Sequence, residues 1–245
     1  MRPTALALVG LVLAATSAAA QEAPCRALVH EAVEFHVCTA DLHRDRVRTF
    51  WQGPDGQPYG TLPRLPSRDG GALAFAVNGG MYDGHAAPVG LYVEEGRELK
   101  AASQANGPGN FHMKPNGVFY VAGRTAGVME TGRFVASRIK ADFATQSGPM
   151  LVLDGRIHPR IRADGTSRKL RNGVGIRDGN TIVFANSERP VTFHHFATLF
   201  RDVLGCRNAL FLDGGTASSL LAPSLARADG LVPLGPMIGV YRRDR

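Results

Sequence analysis

The chain has 245 residues, enough for one large domain or two small ones. It carries 28 Lys and Arg residues against 21 Asp and Glu residues, but no nucleic-acid-binding motif accompanies its basic segment at residues 156–177, so we expect no nucleic acid partner. After residue 20 no stretch is apolar for long enough to cross a membrane, and no CxxC, HExxH or other spacing typical of a zinc site occurs.

Residues 1–20 have the pattern of a secretory signal peptide. Arg2 precedes the apolar run Ala5–Ala15, and the small residues Ala18–Ala20 offer a cleavage site. We therefore predict cleavage after Ala20, export, a periplasmic or secreted location and no stable membrane insertion.

The three cysteines allow at most one internal disulfide in an oxidising compartment. Cys25 and Cys38 enclose a short loop near the mature N-terminus and are the default pair. Cys206 could replace either partner.

Alternating or continuous apolar residues predict three strands in the N-terminal third, at Ala32–Ala40, Val47–Trp51 and Ala72–Val77. Residues 52–71 are rich in Pro, Gly and Arg and indicate a loop. Further on, the segment Glu94-Glu95-Gly96-Arg97 indicates a hairpin turn between strands at Pro88–Val93 and Glu98–Ala101.

The middle of the chain contains its longest polar, turn-prone stretch, Asn106–Asn116. Because this stretch carries Asn110, His112, Lys114 and Asn116 between apolar elements, it resembles a binding loop more than a linker. The elements predicted after it are a strand at Gly117–Val121, a short helix at Ser137–Thr145, a strand at Met150–Leu153 and a turn at Asp154-Gly155.

The C-terminal third is predicted to hold the best-defined helix, at Phe193–Leu204, with Thr192 as its N-cap and Gly205 as its end. His194 and His195 would point to different sides of this helix, which favours a surface or packing role over metal ligation. The strands predicted in this third are a hairpin at Val174–Ile176 and Thr181–Ala185 and single strands at Ala209–Leu212 and Met237–Tyr241.

No linker and no internal repeat divides the chain. The sequence therefore predicts an α+β (mixed α/β) fold: a single strand-rich domain with a central mixed β-sheet and a few flanking helices. We divide it into the signal peptide at 1–20, N-terminal strands and a loop at 21–71, and the main domain at 72–245.

The segment Ala209–Leu221, ALFLDGGTASSLL, is the strongest candidate for a functional site. A short buried strand delivers Asp213 to the edge of the core, and Gly214 and Gly215 let the backbone bend sharply beside it. The hydroxyls that follow suit a sugar hydroxyl or an anion. A tight turn in which Asp213 and Thr216 bond their own backbone is the structural alternative.

Five segments in order identify a family resemblance: VNGGMYDGHAAPVGLYVEEGRELK, GPGNFHMKPNGVFYV, QSGPMLVLDG, RKLRNGVGIRDG and FLDGGTASSL. Together they resemble the phosphodiester glycosidase domain family, which includes the uncovering enzyme that removes N-acetylglucosamine from phosphorylated mannose. The likeness is closer to the family's bacterial envelope branch. The resemblance implies conserved loops that meet in one cleft, and hydrolysis of a sugar linked through its anomeric oxygen to phosphate.

Such chemistry needs a carboxylate, fixed cations and N–H donors more than it needs a strong acid, because a phosphate leaves as a stable anion. Asp213 is the first candidate for base or nucleophile, and Glu188 and Asp83 follow. Asp83 could instead cap the turn at Asn78–Gly84. Arg171 aligns with the family's arginine, and its planar fork suits phosphate.

The remaining candidates are predicted to bind substrate. Lys114 is a phosphate partner, His112 a possible proton donor, and the glycine pairs an amide cradle for the ligand. Without a G-x-S-x-G elbow the serines are expected to bind rather than attack. The substrate-binding set is Asn78, Gly79, Gly80, His112, Lys114, Asn116, Arg171, Asn172, Gly214, Gly215, Thr216, Ser218 and Ser219.

The predicted function is thus that of an exported hydrolase acting on a sugar-1-phosphodiester, with a phosphorylated sugar or envelope glycan as its partner. Two alternatives are a non-catalytic envelope module that binds phosphorylated glycans, and a phosphodiesterase that cleaves the P–O bond. We expect no cofactor and no metal. Asp83, Asp213 and nearby carbonyls could hold calcium, but no calcium-loop spacing occurs. The sequence leaves the oligomeric state open.

Overall fold

The computed structural model describes residues 23–230 and 232–244. The predicted signal peptide, residues 1–20, lies outside them. In that part of the chain no helix is long and apolar enough to cross a membrane.

The described residues are mostly β-structure. The helices are α1, Thr131–Ser137, and α2, Phe193–Thr198, and α2 continues as a π-helical segment at Leu199–Val203. The strands are β1 Cys25–His30, β2 Val33–Asp41, β3 Asp45–Phe50, β4 Gly71–Asn78, β5 Tyr92–Glu94, β6 Arg97–Lys100, β7 Gly117–Ala122, β8 Thr125–Glu130, β9 Phe143–Ser147, β10 Met150–Leu153, β11 Arg156–Ile157, β12 Asn172–Asp178, β13 Thr181–Ser187, β14 Asn208–Phe211, β15 Leu220–Ala222, β16 Arg227–Ala228 and β17 Met237–Arg243.

These strands form three antiparallel sheets. The first has the order β1-β2-β13-β12-β14-β10-β11, the second β16-β15-β4-β17-β3, and the third β6-β5-β9-β7-β8. The segment before residue 72 supplies β1 and β2 to the first sheet and β3 to the second.

The predicted α+β class with a central mixed sheet is wrong. Every strand pairing in the described residues is antiparallel, and α1 and α2 have only seven and six residues. The reason is that short turns join many successive strands, as the hairpin signals indicated, whereas parallel pairing needs long crossover connections.

The main core fills the space where the three sheets face one another. Phe75 of β4, Phe119 of β7 and Phe184 of β13 contribute one ring from each sheet. The ring centroids of Phe75 and Phe119 lie 5.6 and 5.9 Å from that of Phe184, edge to face. All three side chains are buried. Smaller clusters cover the outer faces of the sheets, the largest under α2.

Local turn and cap signals predicted several elements correctly. Both hairpins form: β5–β6 turns through Glu95 and Gly96, each with positive φ, and β12 pairs with β13. Helix α2 begins after Thr192, whose hydroxyl accepts a hydrogen bond from the His195 backbone N–H at 3.1 Å.

The helix predicted at Ser137–Thr145 is wrong. The helix precedes this range: Glu130 caps α1 by accepting from the N–H groups of Gly132 and Arg133. Arg138 adopts the left-handed conformation that ends it. Residues 143–147 instead form β9, a buried strand between β5 and β7, so tertiary pairing overrides the local helical pattern.

The default disulfide is confirmed. Cys25 and Cys38 are direct partners across β1 and β2, with Cα atoms 4.0 Å apart, and they are bonded. Cys206 is a buried free thiol whose pKa burial raises to about 12, so it stays protonated and unreactive near neutral pH.

Candidate functional site

Polar side chains from all three sheets gather at one end of the main core. Asn78 is the last residue of β4, Ser147 the last of β9, and Asn172 the first of β12. Asn186 lies two residues beyond Phe184 on β13, so strand alternation places both side chains on the same face. Asp213 follows β14, the neighbour of β12.

Asn78 and Asn172 hold the Asp213 backbone from two sides. Asn172 donates from Nδ2 to Asn78 Oδ1 at 2.6 Å, and its own Oδ1 accepts from the Asp213 N–H at 3.0 Å. Asn78 Nδ2 donates to the Asp213 carbonyl at 3.2 Å, and its Oδ1 also accepts from the Ser219 N–H at 2.9 Å. Both asparagines are buried. This network fixes the backbone position from which the Asp213 side chain extends.

The carboxylate of Asp213 has an unusual electrostatic environment. Burial raises its pKa to about 6, although the Gly214 N–H, which donates to Oδ1 at 2.8 Å, acts in the opposite direction. Burial raises the pKa of the nearby Tyr82, and the charge of Asp213 raises it further. In the described chain no cationic group lies within 4 Å of this carboxylate. A carboxyl group that titrates near neutral pH is suited to acid–base or nucleophilic work.

Arg171, like Asp213, is an ionisable residue that has no oppositely charged partner in the part of the chain that the structure describes. Its guanidinium donates from Nε to the Val191 carbonyl at 2.9 Å and from Nη2 to the Ser167 carbonyl at 3.0 Å, and it stacks 3.5 Å from the centre of the Phe193 ring. Only 1% of the residue is exposed. Burial lowers its pKa to about 10, so it keeps its charge at neutral pH. Among the described residues no carboxylate pairs with it.

The segments that carry these two groups adjoin each other. The Leu212 N–H donates to the Asn172 carbonyl at 3.1 Å, and the Gly215 N–H donates to the Leu170 carbonyl at 2.8 Å. Asn172 therefore links Arg171, its chain neighbour, to Asp213, its hydrogen-bond partner. The structure thus brings Asn78, Asn172, Asp213 and Ser219 into direct contact, with the Arg171 backbone beside them.

The two glycine pairs pack closely against neighbouring backbone. The Gly79 N–H donates to the Pro236 carbonyl at 2.7 Å and the Gly80 N–H to Thr145 Oγ1 at 3.1 Å. The N–H groups of Gly214 and Gly215 are bonded as described above. All four donors thus have partners within the chain, and their predicted part in a ligand cradle stays a prediction.

Gly80→Ala is expected to destabilise the fold by about 1–3 kcal/mol through overpacking. A Cβ at Gly80 would lie 2.4 Å from both the Gln146 carbonyl oxygen and Thr145 Oγ1, whereas a Cβ at Gly84 would meet nothing within 4 Å. Urea unfolding of Gly80→Ala beside the matched Gly84→Ala variant measures the effect. Equal stability of the two variants would contradict a close-packing role for Gly80.

The predicted binding loop uses its polar side chains on groups of its own and of the residues just before it. Lys114 Nζ donates to Asn106 Oδ1 at 3.0 Å, His112 Nδ1 lies 3.2 Å from the Ala105 carbonyl, and the buried Asn116 donates to the Phe111 carbonyl at 2.8 Å. In the described residues none of the three bonds to Asp213 or its asparagines. Their roles toward substrate stay predictions.

The two other candidate carboxylates lie in different environments. Asp83 is exposed and accepts from the N–H groups of His85 and Ala87 at 2.9 and 3.0 Å, which lowers its pKa. This is the turn-capping alternative. Glu188 accepts a hydrogen bond from Arg227 and lies 3.3 Å from His36 Nδ1. Neither carboxylate contributes to the raised pKa of Asp213.

Sequence reasoning missed Asn186 and Ser147. Asn186 is the cross-strand partner of Asn172 and donates to Ser218 Oγ at 3.4 Å. Ser147 donates from its hydroxyl to the Leu212 carbonyl. The position of Asn186 was predictable, since this residue directly follows the apolar run of β13 as Asn78 follows that of β4. Thr216 is exposed and Ser218 half-buried at the same turn.

Comparisons with known proteins place the sequence in a family. The sequence model of the phosphodiester glycosidase family matches residues 71–241. The uncharacterized protein YigE of Escherichia coli (strain K12) is 39% identical over 207 residues, which cover 84% of this chain and 81% of that protein.

Similar folds occur in solved structures. The catalytic domain of zebrafish N-acetylglucosamine-1-phosphodiester alpha-N-acetylglucosaminidase, auto-inhibited by its pro-peptide, superposes with a TM-score of 0.63 at 14% identity, covering 89% of this chain and 82% of that one. A hypothetical protein from Synechocystis has a TM-score of 0.55 at 17% identity, covering 89% and 61%. A putative exported protein from Burkholderia pseudomallei has a TM-score of 0.53 at 12% identity, covering 85% and 74%.

Proposed function

Because this chain belongs to the phosphodiester glycosidase family, we propose that it is an exported hydrolase that cleaves a sugar-1-phosphodiester at the anomeric carbon. The proposed substrate is a phosphorylated envelope glycan or a related metabolite. Export rests on the signal-peptide pattern of residues 1–20.

The bond that breaks is the one between the anomeric carbon and the phosphate oxygen. Its electron pair leaves with the phosphate, and the sugar passes through an oxocarbenium-like transition state. The oxygen of water ends on the anomeric carbon, and the proton that water loses passes through the base to solvent. The products are a free sugar and a phosphate monoester.

The observation that carries the proposal is the environment of Asp213. A carboxylate beside an oxocarbenium-like centre stabilises positive charge and either attacks the anomeric carbon or activates water. Its raised pKa of about 6 leaves it ionised near neutral pH but basic enough to take a proton. The bonds from Asn78 and Asn172 to its backbone preorganise it for this task.

Arg171 supports the phosphate half of the reaction. A buried cation without a counter-charge makes its surroundings electropositive, and low polarity strengthens that field. A cavity of about 160 Å³ lies against Ser167 and Phe193, the residues that hold its guanidinium, and Arg160 and Arg162 also line it. The surroundings of the Arg171 guanidinium therefore favour an anionic group such as a phosphodiester.

Hydrolysis in ¹⁸O-labelled water tests the proposal. The purified protein is incubated with α and β anomers of glycosyl-1-phosphate methyl esters and with a nucleoside diphosphate sugar, and the products are analysed by mass spectrometry. We expect label in the released sugar, product formation by Asp213→Asn lowered by about 10²–10⁴-fold, and wild-type product formation by the matched exposed variant Asp83→Asn.

Two other outcomes of these experiments would overturn the proposed glycosidase function. Label in the phosphate would identify a phosphodiesterase that cleaves the P–O bond. Saturable binding of glycosyl phosphates by calorimetry, without any released sugar, would identify a binding module.

A further inference from the structure

Two histidines and a glutamate, residue types that can ligate metals, meet where the β1–β2 turn contacts helix α2. His30 ends β1, Glu31 lies in the turn, and His195 comes from the helix. One ligand atom from each lies within 4.8 Å of both others, and within residues 23–230 and 232–244 no second group of three His, Cys, Asp or Glu residues meets this condition. This group plays no part in the site around Asp213.

The carboxylate of Glu31 sits between the two imidazoles. Its Oε1 is 3.8 Å from His30 Nε2, and its Oε2 is 3.7 Å from His195 Nε2. The two rings contact edge to face with centroids 5.1 Å apart, and Phe35 packs against the His195 ring. Both imidazoles are largely buried, while Glu31 is exposed. The rings are thus fixed and the carboxylate is free to adjust.

We propose that His30, Glu31 and His195 form a binding site for a divalent transition metal ion of the zinc class. The ion would join the N-terminal hairpin to helix α2, and water would complete its coordination.

The donor set selects this class of ion. Two imidazole nitrogens and one carboxylate oxygen suit zinc and its first-row neighbours, whereas calcium and magnesium prefer oxygen ligands alone. Zinc–ligand bonds of about 2.0–2.2 Å place tetrahedral ligand atoms about 3.4 Å apart. The three ligand atoms lie within 4.8 Å of one another, so they would have to approach by about 1 Å to reach that spacing, and the exposed Glu31 side chain has the most room to move.

The present contacts of the ring nitrogens are long and replaceable. His30 Nε2 lies 3.3 Å from Thr198 Oγ1, and His195 Nε2 lies 3.2 Å from the His30 carbonyl. A bound ion would take both Nε2 atoms. The group opens into a cavity of about 420 Å³ lined by Glu31, Thr192, His194 and His195, which gives the ion and its water a route from solvent.

The turn itself is unusual for its sequence. Glu31 and Ala32 both have positive φ, at 46° and 59°, in a two-residue hairpin turn where Asn and Gly are the usual residues. Two non-glycine residues in this region cost stability. A ligand role for Glu31 gives a reason for a glutamate at this strained position.

Zinc titration of the metal-free protein tests the proposal, and the adjacent histidines provide a matched pair. After dialysis against a chelator, calorimetry with zinc chloride should show one ion per chain for the wild type and for His194→Ala. His195→Ala should lose about 10–100-fold in affinity or more, since removal of even an outer-shell partner of a metal ligand costs that much. Glu31→Gln should weaken binding, and calcium chloride should give no heat of binding.

Thermal unfolding and cobalt absorption give independent readouts. Zinc should raise the Tm of the wild type and of His194→Ala but not of His195→Ala, and cobalt should develop visible bands in the first two only. If His195→Ala fails to fold, His30→Asn replaces it. Equal zinc affinity of His194→Ala and His195→Ala would overturn the proposed site. So would a wild-type chain that binds less than one zinc ion at about 100 μM zinc, because a site of such low affinity would add little to the stability of the fold.

Discussion

Asp213→Asn is expected to lower kcat by about 10²–10⁴-fold, the usual loss when a positioned acid–base group is removed. The amide keeps the shape of the carboxylate and can still accept the Gly214 N–H, so the turn should remain intact. What disappears is the negative charge and the ability to take a proton. Product release from a glycosyl-1-phosphate ester measures the effect, and wild-type turnover would remove Asp213 from the mechanism.

The same substitution is expected to stabilise the folded protein near neutral pH. Burial raises the pKa of Asp213 from 3.8 to about 6, so folding favours the protonated form. The stability that protonation confers is fully present below the unfolded pKa and is lost as pH rises through the folded pKa. At about pH 7.5 the ionised carboxylate then costs up to about 3 kcal/mol relative to an uncharged group.

Urea unfolding at two pH values separates this effect from a structural one. Asp213→Asn should exceed the wild type in stability at about pH 7.5 and match it at about pH 3, where Asp213 is protonated in both the folded and the unfolded chain. Asp83→Asn serves as the control, because its carboxylate has a lowered pKa and accepts two backbone N–H groups. That variant should show no gain in stability. A gain for Asp213→Asn that is equal at both pH values would contradict the electrostatic explanation.

The sequence predicted the elements whose signals are local. The β5–β6 and β12–β13 hairpins follow from turn residues within each hairpin, and α2 follows from its cap and its apolar stripe. Strand β15 has three residues and forms only because it pairs with β4, more than 140 residues earlier in the chain. Such a strand carries too little local pattern to be recognised.

The part of the candidate site that has a local signal in the sequence was predictable, and the part that depends on long-range contacts was not. Asn78 and Asp213 each follow an apolar strand, and that pattern marks a polar group at the edge of a core. The bond between Asn78 and Asn172 joins positions 94 residues apart, and no local pattern reports it. The partners of the glycine N–H groups, such as Thr145 for Gly80, depend equally on how the three sheets meet.

Arg171→Met is expected to lower kcat/KM for a glycosyl-1-phosphate ester by about 10²-fold, as the loss of a fixed donor to developing negative charge does elsewhere. Methionine retains the length needed to pack on Phe193 but removes the charge. It also leaves the Val191 and Ser167 carbonyls without their donor, while it removes the cost of an unpaired buried cation. These two effects on the free energy of unfolding oppose each other. We therefore expect little change in the free energy of unfolding beside the loss in kcat/KM.

Inhibition by inorganic phosphate shows whether the charge of Arg171 acts on the phosphate group. Phosphate should inhibit the wild type competitively and Arg171→Met far more weakly, with Arg171→Lys in between because an ammonium keeps the charge but not the planar fork. Arg133→Met is the matched control, since Arg133 is exposed, paired with Asp154 at 3.0 Å and outside the cavity beside Arg171. Screening by salt should reduce any effect at Arg133 and spare that at Arg171, because a buried charge is screened much less. Equal phosphate inhibition of Arg171→Met and Arg133→Met would assign Arg171 a packing role and remove it from substrate binding.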